Sequence, residues 1–89
     1  MHQVIYAESA KVDLKKMDLQ IAQRIIGKIL FFSQQKNPLA FAKALKNLGI
    51  GRYRFRIGDY RAIFKLDSNG HLQILMILRI KHRKDVYLS

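Results

Sequence analysis

The chain has no cysteine. A disulfide framework, a thiolate metal site and a cysteine nucleophile are thereby excluded, and the composition suits a reducing compartment. Proline occurs once, at Pro38, and no Gly/Ser-rich or low-complexity stretch interrupts the sequence. Nothing marks a linker, so the 89 residues read as a single domain, 1–89. Apolar runs are short. The longest aliphatic one, Ile74–Leu78, is five residues, against the roughly 20 that span a bilayer. Met1–Lys16 holds no apolar run of signal-peptide length. A soluble, cytoplasmic protein is expected. Acidic side chains are also scarce: six, against 17 Lys and Arg, for a net charge of +11.

What is present is 49% apolar residues, enough for a folded core. A pI near 10.4 makes polyanions the natural partners, nucleic acid first. The charge is uneven. Residues 1–35 carry five basic and three acidic side chains, net +2, whereas residues 36–89 carry twelve and three, net +9. With no linker between them, this asymmetry points to one face of one domain.

Hydrophobic period sets the expected elements. Gln3–Tyr6 reads as a short edge strand. Glu8–Met17 spaces Ala10, Leu14 and Met17 as a helix. Asp18 then reads as the N-cap of a second helix carrying Ala22, Ile25, Ile26, Ile29, Leu30 and Ser33. Asn37-Pro38 resembles the start of a third helix, with Phe41, Leu45 and Leu48 as its stripe and Gly49 as its end. After Gly49 the period drops to two. Arg52–Ile57 alternates basic and apolar, Gly58-Asp59 suits a two-residue type II′ turn, and Tyr60–Leu66 continues as a strand. Asp67–Gly70 is a turn by composition, and Leu72–Ile80 is a near-continuous apolar strand whose register is ambiguous, because apolar residues occupy both of its faces. The expected class is α+β: an antiparallel sheet made of the N-terminal strand and a C-terminal three-stranded meander, with two or three helices on one face.

The two-residue turn fixes the hairpin. Ile57 faces Tyr60, Arg56 faces Arg61, Phe55 faces Ala62, Arg54 faces Ile63 and Arg52 faces Lys65. One face then carries Tyr53, Phe55, Ile57, Tyr60, Ala62, Phe64 and Leu66, so Tyr53 and Tyr60 read as packing residues. The other carries Arg52, Arg54, Arg56, Arg61 and Lys65, with Ile63 as its apolar exception. Like charges opposite one another destabilise a sheet. A solvated face would explain arginines, but such faces usually mix signs. An anion held between the arginines explains them better, since a guanidinium can grip two phosphate oxygens at once.

Tyr53–Phe64, with its Gly58-Asp59-Tyr60-Arg61 core, resembles the signature hairpin of the RelE/ParE superfamily of toxins from toxin–antitoxin modules. His82-Arg83-Lys84-Asp85-Val86-Tyr87 resembles the ending of the RelE branch. The resemblance covers nearly the whole chain. It implies a RelE-like fold and a ribosome-dependent mRNA endoribonuclease, without metal or cofactor, neutralised by a cognate antitoxin and meeting DNA only through the antitoxin complex. In such enzymes the ribose 2′-OH attacks the adjacent phosphate, leaving a 2′,3′-cyclic phosphate. By the same resemblance Arg61 would hold the scissile phosphate, Arg83 would serve the transition state or leaving group, and Tyr87 would stack on or orient the nucleotide. The alternative for Tyr87 is docking of the tail. Arg54 and Arg56 fall where the prototype carries lysines, and arginine effectively cannot act as a base. His82 is either the substitute base or a surface turn residue. Lys43, Lys46, Arg52, Lys65, Lys81 and Lys84 are the further expected RNA contacts. His2 and His71 read as structural or surface residues that make no metal motif. The alternatives in function are a ParE-like inhibitor of DNA gyrase and an inactive basic RNA- or protein-binding module.

Overall fold

The computed structural model describes residues 2–46 and 51–85. Along the chain run β1 (His2–Tyr6), α1 (Glu8–Lys15), α2 (Leu19–Ser33), one turn of 3-10 helix (Pro38–Phe41), β2 (Ala42–Ala44), β3 (Arg52–Ile57), β4 (Tyr60–Asn69) and β5 (Leu72–His82). The strands form one sheet in the order β1-β5-β4-β3-β2. β1 pairs parallel to β5 and the other neighbours pair antiparallel. The sheet is therefore mixed rather than wholly antiparallel, within the expected α+β class.

α2 starts where expected, with the Asp18 carboxylate accepting the Gln20 N–H at 2.9 Å. Its buried positions Ala22, Ile25, Ile29, Phe32 and Ser33 follow helical spacing. Of these, Ile25, Ile29 and Phe32 meet Ala10 of α1 and the inward side chains Phe55, Ile57, Ala62, Phe64, Leu75, Ile77 and Ile80 in one core. Both helices thus cover one face of the sheet. Stacked aromatics run through this core, with Phe32 against Phe55 at 4.7 Å and Phe55 against Phe64 at 4.2 Å between ring centroids. Tyr53 and Tyr60 pack against the same core, as read. Burial pushes the Tyr6 phenol up to about 12.

The third helix is not formed. Pro38 opens only a 3-10 turn, after which the chain extends as β2 along β3. Phe41 stacks on Phe32 at 5.3 Å, while Leu45 donates its N–H to Arg52 O and is buried with Ile63. These two residues, four apart, thus serve separate clusters. Strand pairing at the sheet edge outweighs a helical period of only three residues. Leu48 and Gly49 lie outside the described residues.

The second hairpin also differs from expectation. Asp67–Asn69 belong to β4, and the turn is Gly70-His71, because Asn69 pairs with Leu72. Gly70 has φ +63°, the conformation glycine adopts without strain. From Asn69 to Phe64 the β4–β5 pairs follow one register, and from Ile63 to Tyr60 they follow another, shifted by one residue. Leu78 is the extra residue, a β-bulge. The bulge explains the apolar residues on both faces of β5: Leu75 and Ile77 point to the core before it, and Ile80 does so after it.

β1 covers β5 only as far as Ile77. Beyond that point α1 closes the edge, because Asp13 Oδ2 accepts the Ile80 N–H at 2.9 Å. Asp13 also takes two hydrogen bonds from the Arg79 guanidinium, at 2.8 and 3.1 Å. Burial raises the Asp13 pKa, but the Arg79 hydrogen bonds, the Ile80 N–H and the charges of Arg79 and Lys16 outweigh it and hold the carboxyl below its ordinary value.

Asp13→Ala should cost about 2 kcal/mol, since Ile80 N–H and Arg79 lose their acceptor, and thermal melting should fall by roughly 10 °C. The Asp13 contribution is full above the ordinary carboxylate range and is lost as pH falls through its lowered folded value. Acid titration of stability should therefore be shallower in Asp13→Asn than in the parent chain. Gly58 has φ +59°, so Gly58→Ala should cost at least about 1 kcal/mol. The added Cβ would meet only the flexible end of Arg24, at 3.4 Å, so the cost should appear as hairpin instability in hydrogen exchange rather than as core disruption.

Candidate nucleic-acid interface

The β3–β4 pairing is the one expected from the turn, from Ile57↔Tyr60 to Arg52↔Lys65. Gly58 supplies the positive φ and Asp59 keeps a negative one, which fits the type II′ geometry. Side chains of paired residues share a face, so the sheet face away from the helices can be read off row by row. Arg56, Arg61 and Lys81 form one row across β3, β4 and β5. Lys43, Arg54 and Ile63 form a second across β2, β3 and β4, and Arg52 with Lys65 a third. At the usual strand spacing the first row spans about 10 Å. Asp67 extends the same face at the far end of β4, opposite Ile74. Ile63, the apolar exception, is covered by Leu45.

Arg61 is nearly buried, at 9% exposure. Its Nη1 donates to Gly58 O and to Tyr60 O, both at 2.9 Å. The side chain is thus fastened to the turn that sets the register. Arg54 is half-buried, and its Nε is enclosed without a hydrogen-bond partner among the described residues. Arg56 is exposed. Arg83 follows β5, its N–H donating to Asp59 O at 2.7 Å and its Nε lying 3.7 Å from Asp59 Oδ1. Arg83 is therefore held at the same turn as Arg61.

His82 stands elsewhere. It pairs with Tyr60, whose side chain belongs to the core face, and the two rings meet edge to face at 5.4 Å. Its Nδ1 accepts the Lys84 N–H at 3.2 Å. His82 therefore does not share a sheet face with Arg61, and its Nδ1 already accepts a main-chain N–H. Tyr87 lies outside the described residues. Lys46 and Lys84 are exposed, beyond the ends of β2 and β5. His2 Nε2 sits 2.6 Å from Gln73 Oε1, and His71 lies exposed in the second turn.

Two of the expected RNA contacts, Lys43 and Lys81, reach this face by routes that the sequence pattern does not display. The helical stripe after Pro38 puts Lys43 on a helix, whereas Lys43 lies on β2 beside Arg54 of β3. Lys81 reaches the Arg61 row only because of the Leu78 bulge; the register found before the bulge would set Ile80 there instead. The signal was present in the switch of apolar parity from Leu75 and Ile77 to Ile80.

Comparison with known proteins identifies the family. A sequence model described as the ParE toxin of the parDE type II toxin–antitoxin system matches residues 4–87. The chain is 30% identical over 84 residues to Toxin RelG of Mycobacterium tuberculosis, covering 94% of this chain and 93% of that one. The toxin–antitoxin complex RelBE2 from Mycobacterium tuberculosis has a similar structure, with TM-score 0.78, 28% identity and coverage of 92% of this chain and 98% of the other. The RelB–RelE antitoxin–toxin complex from Methanococcus jannaschii is similar at TM-score 0.63 and 27% identity, covering 93% and 94%. With a matching sequence model, a matching relative and a shared sheet and helix arrangement, this chain belongs to the RelE/ParE superfamily as a toxin of a type II toxin–antitoxin system.

Proposed function

We propose that this toxin is an endoribonuclease that cuts mRNA in the ribosome, stops translation, and is kept inactive by a cognate antitoxin in the cytoplasm. The observation that carries the reading is the row Arg56–Arg61–Lys81, three cations on adjacent strands. In-line attack by a ribose 2′-OH makes phosphorus pentacoordinate and adds charge to its oxygens. Guanidinium groups held beside that phosphate stabilise the charge as it develops. As the 2′-oxygen bonds to phosphorus and closes the cyclic phosphate it gives up its proton to solvent water, and the P–O5′ bond breaks, so the departing 5′-oxygen needs a proton in turn. Arginine cannot supply that proton readily, and the Lys81 ammonium can. We assign the proton donor to Lys81, with Arg61 and Arg56 on the phosphate and Arg83 beside them at the turn. The reaction so drawn uses no cofactor.

The antitoxin is supported by the solved relatives, which are toxin–antitoxin complexes. An acidic segment would suit the basic face. An amphipathic helix would suit α2, whose Leu19, Ile26 and Leu30 are exposed at 70%, 42% and 53%. A second reading, inhibition of DNA gyrase, is favoured by one observation, the match to a ParE sequence model.

Sequencing of mRNA 5′ ends after brief expression separates the two. The nuclease reading expects new ends that follow the reading frame; DNA breaks with intact transcripts would support the gyrase reading instead. Lys81→Arg keeps the charge and removes the ready proton, so cleavage by purified toxin on programmed ribosomes should fall about 100-fold or more. His82→Gln should leave the rate essentially unchanged, and the reverse pattern would return the proton transfer to His82. Arg61→Ala should abolish growth inhibition, and it should also lower thermal stability, because the Gly58 and Tyr60 carbonyls lose their donor. Arg61→Lys controls for charge, and circular dichroism should show a folded chain with cleavage still largely lost.

A further inference from the structure

A pocket of about 230 Å³ lies at the β2 edge of the sheet, lined by Ala40, Phe41, Ala42, Lys43, Arg54 and Arg56. Three features meet in it. Phe41 is 46% exposed although its ring stacks on Phe32 and meets Phe31 edge-on. An aromatic ring braced from behind and open to solvent is a platform rather than a core side chain. Arg54 Nε–H is enclosed and has no hydrogen-bond partner among the described residues. Buried donors are ordinarily satisfied, so the Arg54 side chain, which lines the pocket, can turn toward it without breaking a bond at Nε. Lys43 lies beside Arg54 across the strand pair, and Arg56 adds a third cation to the wall. The pocket is smaller than the roughly 300–1,000 Å³ of typical small-molecule sites, which suits one planar group rather than a whole cofactor.

We propose that this pocket is a nucleotide subsite for single-stranded RNA, in which one base stacks on Phe41, the Arg54 guanidinium donates to that nucleotide, and Lys43 and Arg56 hold its flanking phosphates. Stacking on an aromatic side chain tolerates any base, and cations beside it track the backbone. Arg56 belongs both to this pocket and to the Arg56–Arg61–Lys81 row. The bound nucleotide therefore lies next to the phosphate at that row. The subsite rests on the nuclease reading above, and it adds a reason for the enzyme to hold its substrate at a defined offset from the cut.

The chain has no tryptophan, so Phe41→Trp places a single fluorophore at the platform. Titration with oligoadenylate should quench its emission saturably, and polyphosphate, which has charge and no base, should not. Adding Arg54→Ala should weaken the oligoadenylate response about tenfold. Equal quenching by both polyanions, or none by oligoadenylate, overturns the subsite. So does emission that responds to the co-expressed antitoxin and not to oligoadenylate, which would assign the ring to the protein partner. On programmed ribosomes Phe41→Leu should lower cleavage about tenfold, the worth of one stacked base, while Phe41→Tyr should retain it; unchanged cleavage in Phe41→Leu overturns the proposal. Circular dichroism of each variant guards against unfolding. If the parent toxin cuts no mRNA, the nuclease reading fails, and the quenching result still reports on the pocket by itself.

Discussion

The two-residue turn at Gly58-Asp59 is the constraint on which the rest of the molecule depends. In a strand the side chains alternate, so a slip of one residue exchanges the two faces. Here such a slip of β3 against β4 would carry Arg54 and Arg56 into the core and bring Phe55 and Ile57 out to water. The turn residues resist it in two ways. Gly58 takes a positive φ that other residues adopt only with strain, and Arg61 ties its guanidinium to the carbonyls of Gly58 and Tyr60. The residue with the largest proposed part in function is thus also a part of the device that fixes the register.

The bulge at Leu78 is the second adjustment, and it acts on the same row. β5 must deliver Leu75 and Ile77 to the core along its first half and Ile80 along its second. A regular strand cannot do this with one intervening pair of residues of the wrong parity. The extra residue resolves the conflict, and by the same shift Lys81 comes beside Arg61. The departure from regular pairing is matched by a cap from outside the sheet. Asp13 of α1 accepts the Ile80 N–H just past the point where β1 ends, so the part of β5 that carries the shift is held from a neighbouring helix.

Much of this was legible in the sequence, for identifiable reasons. The β3–β4 hairpin was readable pair by pair because strict alternation and a Gly-X turn leave a single register. α2 was readable because Asp18 and a 15-residue helix give both a start signal and several turns of period. The region around Pro38 departs from its helical pattern because a stripe of three apolar residues cannot distinguish a helix from a turn followed by a short edge strand; the pairing partner on β3 decides it. The second turn was misplaced because Asp67, Ser68 and Asn69 are turn formers by composition, yet strands tolerate them where both faces meet water. His82 lay near Arg61 in the expected motif, but nearness along the chain says nothing about face, and the face depended on a bulge that only the apolar parity of β5 betrayed.

The anchoring of Arg61 carries a further consequence for how this surface would meet a polyanion. A long side chain ordinarily surrenders rotamer freedom when it grips a ligand, at roughly 0.5–1.5 kcal/mol each. Arg61 has surrendered that freedom during folding, since its head group is already bonded to two main-chain oxygens. Arg56, exposed on the next strand, has not. The same charge type on one row therefore comes in two kinds, one rigid and one adaptable. A rigid cation discriminates among geometries and an adaptable one follows its ligand, so shape selectivity on this face should originate at β4 and tolerance at β3.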